Sequence, residues 1–335
     1  MKNLKNKLIM GAFIASLIIS PTIGCFKKPN SPERKSERTH LTSKSKKNLE
    51  NISYISPSTI IDFYTLTPWK FRGELFPKRF NKTPSTVGLK FKNYSIKSAQ
   101  DDIKIDSWFI PGEIKDKAVV ICHSNDGAKA DMLKYTKFLN NEGYPIFMFD
   151  FRGQGNSEGK YVTYGAKEQY DLEAAINHLK KEKGIEKIAV YGQRMGAATA
   201  LIEASKEKNI NLIISDSVWK DVPNITSNYA KRLGYDIPNS LASPITFGIH
   251  LLSFFKTGAN YSELNIGKRL NKINNIPILF IHNKKDPLYP FENSVQLHKQ
   301  YNGPKDILLE NYNRKLLNPS HTLKKKVTRF LKKHF

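Results

Sequence analysis

Acidic side chains are scarce in this sequence. Thirty aspartates and glutamates face 54 lysines and arginines, which leaves the 335 residues with a formal net charge of +24. That balance would suit contact with anionic lipid, polysaccharide or nucleic acid, but it reads first as a general Lys- and Asn-rich composition. The lysines are spread along the whole chain rather than clustered, and no zinc knuckle or RNA-binding aromatic signature accompanies them, so no nucleic-acid partner is expected. Cysteine is nearly absent. Only Cys25 and Cys122 occur, and if Cys25 is modified no intramolecular disulfide can form. Long apolar runs are lacking too: the stretch from Leu8 to Ile19 is too short for a comfortable membrane span. Hydrophobic residues at 39% and aromatics at 11% are ordinary for a globular protein, so the chain can bury one large α/β domain of about 250 residues plus extras.

The N-terminus is more specific. Lys2, Lys5 and Lys7 precede the apolar run, and Ser-Pro-Thr-Ile-Gly-Cys25 follows it. A charged segment, a short apolar core and small residues before a cysteine form a signal-peptide pattern over residues 1–25. Thr-Ile-Gly-Cys resembles a bacterial lipobox, with Thr22 where an aliphatic residue is usual. The resemblance implies acylation of Cys25 and a membrane-anchored lipoprotein of the bacterial cell envelope; an ordinary cleaved signal and a secreted or periplasmic protein form the alternative. Residues 26–86 then read as a polar tether, with Pro29 and Pro32, followed by an aromatic arm containing Phe63, Tyr64, Trp69, Phe71, Phe76 and Phe80.

From residue 87 the pattern becomes regular. Segments 87–98 and 103–110 read as an antiparallel hairpin. Strands at 118–122, 145–149, 187–191 and 211–215 then alternate with helices near 128–141, 165–182 and 196–207. Residues 219–271 break the rhythm with prolines and aromatics and read as a helical cap insertion. The alternation resumes with a strand at 276–281, a helix near 291–300, a strand at 306–310 and a final helix near 322–334. Such alternation predicts a mostly parallel central sheet with helices on both faces, over residues 87–335.

One stretch carries the functional argument. Lys187-Ile-Ala-Val-Tyr191 is a short apolar strand, Gly196 to Ala204 is a good helix former, and Gly192 and Gly196 flank Gln193-Arg194-Met195. This is the spacing of a nucleophile elbow, Gly-x-Ser-x-Gly, in which a strand turns sharply into a helix. Arg194 occupies the serine's place. A guanidinium stays protonated and has no lone pair with which to attack a carbonyl.

Further motifs fall in register with the elbow. Asp150-Phe-Arg-Gly-Gln-Gly-Asn-Ser-Glu-Gly159 follows the fourth strand, His123-Ser-Asn-Asp-Gly127 the third, and His282-Asn-Lys-Lys-Asp286-Pro287 the seventh, with Pro319-Ser-His321-Thr just before the last helix. With these residues the chain resembles the α/β-hydrolases, closest to the serine-aminopeptidase and prolyl-oligopeptidase-like branch. The resemblance implies that Asp286 and His321 stand at the triad acid and base positions, with Arg194 at the nucleophile position. It also implies that the backbone N–H groups of Asn125 and Met195 form the oxyanion hole. Ser124 and Asn283 replace glycines of the family pattern. Gly155-Asn-Ser157-Glu-Gly159 repeats the elbow spacing, but no helix follows directly, so Ser157 is read as a decoy.

Without the serine no acyl-enzyme forms by the triad route. The expectation is a pseudo-hydrolase that binds an anionic or acyl small molecule, or a partner. The alternative is an active esterase, lipase or peptidase with a non-standard nucleophile, for instance Ser124. A third reading assigns the work to the basic surface rather than the pocket. No metal and no cofactor is expected. Cys122 ends a strand and reads as a buried, inert thiol.

Overall fold

The computed structural model describes residues 82–125, 127–206, 209–221, 247, 251, 254–255, 257–286, 289–311 and 319–335. The signal-peptide pattern with Cys25, the tether and arm up to residue 81, and most of the insertion at 219–271 lie outside these residues. No helix among them is long and apolar enough to cross a membrane.

Eight strands form one sheet: β1 (Lys92–Lys97), β2 (Lys104–Ile110), β3 (Lys117–Cys122), β4 (Ile146–Phe149), β5 (Lys187–Gln193), β6 (Leu212–Asp216), β7 (Ile278–Asn283) and β8 (Lys305–Glu310). They lie in the order β1-β2-β4-β3-β5-β6-β7-β8. β2 runs antiparallel to β1 and to β4, and every other neighbouring pair is parallel. The central strands β4, β6 and β7 are buried along their whole length. That is why they read as continuous apolar runs rather than alternating ones: a strand covered on both faces has no solvent side.

Among the described residues, six helices cover the sheet. α1 (Leu133–Asn141) and α6 (His321–His334) pack on one face, where Leu133, Leu139, Val327 and Phe330 meet Val119, Ile121 and Ile281. α2 (Glu168–Lys183), α3 (Met195–Ala204), α4 (Ile266–Leu270) and α5 (Glu292–Gln300) pack on the other. Every residue of α3 is buried, as expected for a helix that is apolar all round. The described ends of the segment expected as an insertion, near 219 and 270, join this second face. Trp219 and Leu270 are core residues, and the Glu263 carboxylate accepts from Gln169 Nε2 at 2.6 Å and Lys206 Nζ at 3.1 Å.

Two elements differ from the sequence reading. The first strand begins at Lys92 rather than at 87, because Pro84–Val87 wind a 3-10 turn that Gly88 closes at φ +79°. A helix expected from 128 starts as a second 3-10 turn, Lys129–Met132, before α1. The chain leaves β3 toward β4 on one side and continues through β5 to β8 on the other. The sheet therefore has its switch point between β3 and β5, where the loops at the strands' C-terminal ends open a crevice.

Candidate functional site

Sterics build the elbow at that switch point. β5 ends in Gly192-Gln193, α3 starts at Met195, and Arg194 between them is held at φ 51°, ψ −108°. Left-handed backbone is uncommon for a residue with a Cβ and marks local strain. The flanking glycines make the turn possible. A Cβ on Gly192 would lie 2.4 Å from the Gly196 carbonyl oxygen, and one on Gly196 would lie 2.3 Å from the Cys122 carbonyl oxygen. The strained peptide is tied down where the Arg194 N–H donates to the Asp216 carbonyl of β6 at 2.8 Å.

The Arg194 side chain turns inward. Its Nη2 donates to both carboxylate oxygens of Asp286, at 3.3 and 3.4 Å, and its guanidinium carbon lies 5.0 Å from the centre of the Tyr289 ring. The side chains are 9% and 0% exposed. Asp286 sits in the turn after β7, where its N–H donates to Asn283 and its carboxylate also accepts the Tyr289 N–H at 3.2 Å. A planar cation suits both a carboxylate and an aromatic face. Within the buried pair each charge compensates the desolvation of the other.

Asn125 stands across the crevice, its side-chain oxygen 3.5 Å from the Tyr289 hydroxyl and its carbonyl accepting Gln154 Nε2 at 2.8 Å. The loop that carries it is pinned from below: Lys129 donates its N–H to Asp150 at 2.8 Å and its Nζ to Asp150 and Asp106. Met195 opens α3, where the first-turn N–H groups have no intrahelical acceptor. Arg194, Asp286, Asn125 and Met195 are thus gathered at one end of the sheet.

His321 is placed differently. It is exposed at the first turn of α6, which Ser320 caps while donating to Glu310 at the end of β8. It shares the rim of the sheet, yet among the described residues no hydrogen bond or ion pair joins its ring to Asp286 or Arg194. The acid that would orient the imidazole is engaged by Arg194 instead.

The remaining motif residues are structural. Ser157 donates its hydroxyl to the Asp150 carbonyl at 2.5 Å and accepts the Asp106 N–H at 2.9 Å, which fastens the decoy loop to β2. His123 is fully buried; one ring nitrogen lies 2.8 Å from the Ser124 carbonyl and the other accepts the Phe151 N–H at 3.0 Å. Burial keeps its pKa below the usual histidine value. The Cys122 thiol is buried, and desolvation pushes its pKa far up, which leaves it inert. Sequence reasoning missed Tyr289 and the buried group in which Gln193 Nε2 donates to Tyr135 and Asp216. Tyr289 lies three residues after Asp286, so it was within reach of a reading that followed the chain past the turn. Tyr135 and Asp216 had no local signal.

Comparison with known proteins agrees with this fold. Residues 113–237 match the family described as serine aminopeptidase, S33; the matched segment holds Asn125 and Arg194 but ends before Asp286 and His321. The chain is 28% identical to the uncharacterized protein YqkD of Bacillus subtilis (strain 168), over 64% of this chain and 70% of YqkD. It is 26% identical to the uncharacterized protein YfhR of Escherichia coli (strain K12), over 63% and 69%. Among solved structures it resembles the Pyrococcus furiosus esterase Pf2001, with a TM-score of 0.61 and 26% identity over 76% of this chain and 96% of the esterase.

Proposed function

We propose that the elbow of this chain, which has the α/β-hydrolase fold, is a hydrolase site turned to binding: a pseudo-hydrolase that holds an anionic or acyl ligand, or a partner carrying such a group. The observation that carries this reading is the Arg194–Asp286 pair. It puts a permanently charged guanidinium where a nucleophile is needed and occupies the acid that would orient His321. Loss of the nucleophile in serine hydrolases costs about 10⁶-fold in turnover. The start of α3, whose first-turn N–H groups have no intrahelical acceptor, suits a carboxylate or phosphate. Asn125 and Met195 retain the oxyanion-hole roles as donors to the ligand, and the likeness to an esterase supports an acyl group as the part bound. The N-terminal pattern supports a lipid anchor on Cys25 and a place in the bacterial envelope.

The test compares the wild type with Arg194→Ser and with Arg194→Ser/His321→Ala on short- and medium-chain p-nitrophenyl esters. Thermal shift with octanoate serves as the binding readout. The expected result is an inert wild type that octanoate stabilises, an Arg194→Ser variant that gains turnover, and loss of that gain when His321 is removed. Turnover by the wild type that Arg194→Ser leaves unchanged overturns the reading and directs attention to Ser124.

A further inference from the structure

The two faces of the sheet differ in charge. The helices on the first face, α1 and α6, carry eight lysines and arginines, two in α1 and six in α6, and not one aspartate or glutamate. On the opposite face α2, α3, α4 and α5 together hold six basic and six acidic residues. Among the described helices the excess positive charge therefore lies on one side of the sheet. Within α6 the segregation is regular. Leu323, Val327, Phe330 and Leu331 face the core, while Lys325, Arg329, Lys332 and Lys333 are exposed at the same spacing on the outer side. Lys332 pairs with Glu142 at 2.9 Å and Lys326 with Asp306 at 2.6 Å. Lys325, Arg329 and Lys333 meet no carboxylate among the described residues.

From this we infer that the α1–α6 face is a docking surface for an anionic lipid bilayer, a role separate from the pocket. Two observations select lipid over other polyanions. The first described residues, which follow the segment containing the short apolar run and Cys25 in sequence, lie on this same side: the turn Pro84–Val87 lies against α1, and Val87, Leu89 and Phe91 pack on the core beneath α1 and α6. Second, neither α1 nor α6 presents an exposed aromatic ring; among the described residues the exposed large apolar ones are Phe247, Phe254 and Phe255. A flat array of lysines without stacking platforms matches a plane of headgroup phosphates better than single-stranded nucleic acid.

The test is co-sedimentation of the full chain with vesicles of phosphatidylcholine alone and of phosphatidylcholine with phosphatidylglycerol, at low and physiological salt. Binding to neutral vesicles measures the N-terminal apolar run, and the excess on anionic vesicles measures the basic face. Lys325→Glu/Arg329→Glu/Lys333→Glu is compared with Lys181→Glu/Lys268→Glu/Lys299→Glu, which makes the same charge change on exposed residues of the opposite face. The expected result is a salt-sensitive excess that falls roughly a hundredfold in the α6 variant, at about fivefold for each basic residue lost, and only slightly in the other. Circular dichroism checks folding; should the charge reversal unfold α6, Lys325→Gln/Arg329→Gln/Lys333→Gln carries the same comparison. Equal loss in both variants overturns the inference, because bulk charge would then suffice. So does unchanged binding in the α6 variant, or tighter binding of the same face to a DNA duplex than to anionic vesicles.

Discussion

Two glycines fix the elbow before any side chain takes part in it. Gly196 lies in the first turn of α3, where replacing glycine by alanine ordinarily stabilises a helix by about 1 kcal/mol. Here the new methyl would meet the backbone carbonyl of Cys122 at 2.3 Å, and a strand in the centre of a sheet cannot move aside. Gly196→Ala is therefore expected to destabilise the protein by about 1–3 kcal/mol, read as a lower urea midpoint. A neutral or stabilising result would show that α3 can slide away from β3. Arg194 is accommodated because its identity costs nothing in backbone terms beyond the strain any residue with a Cβ bears there. Its long side chain reaches from the elbow to the turn after β7, which a serine hydroxyl could not span. Ser157 teaches the converse: the same glycine spacing in a loop yields a hydroxyl consumed by two backbone hydrogen bonds.

At the level of elements, the loops after β3, β4 and β5 are held by buried polar groups whose protonation matters. His123 joins the end of β3 to the chain after β4, with its unprotonated nitrogen accepting the Phe151 N–H. Its folded pKa is depressed by burial below the ordinary value of 6.5, which the unfolded chain retains. Above that value neither state binds the proton and the contribution to stability is complete. As pH falls below it the unfolded chain takes up a proton that the folded chain refuses, so stability declines until the lower folded value is reached. Denaturant titrations at pH 7.5 and at progressively lower pH are expected to show this loss, with a shallower slope in His123→Gln; equal slopes would assign the effect to other groups. The helices and strands themselves were legible in the sequence, because apolar runs and alternation report burial directly. Their ends were not. Pro84–Val87 and Lys129–Met132 wind into 3-10 turns through backbone geometry at Gly88 and through the Asp131 side chain that accepts the Ala128 N–H, details below the resolution of periodicity.

For the whole molecule, a net charge of +24 means self-repulsion in the compact state. Added sodium chloride is expected to raise the melting temperature between low and physiological ionic strength, since screening relieves repulsion among many exposed lysines while the buried Lys129–Asp150, Arg152–Asp171 and Arg194–Asp286 pairs are little screened. A melting temperature that falls with salt would mean that attractive surface pairs such as Lys326–Asp306 dominate. The same charge makes orientation a property of the fold: α1 and α6 are far apart in sequence, and only their packing on one side of the sheet produces a basic face.

The sequence by itself determined the elements, the order of the sheet-forming runs and the elbow spacing with Arg194 at its centre, because each is written in residues close together along the chain. Tertiary structure decided what those residues do. Arg194 and Asp286 lie 92 positions apart, and their union, with Tyr289 over the guanidinium, follows from β5 and β7 ending at the same rim. His321 shares that rim and stays exposed. Two-sided burial of a parallel sheet brings distant strand ends into one crevice, and no local pattern encodes which of the side chains gathered there will pair.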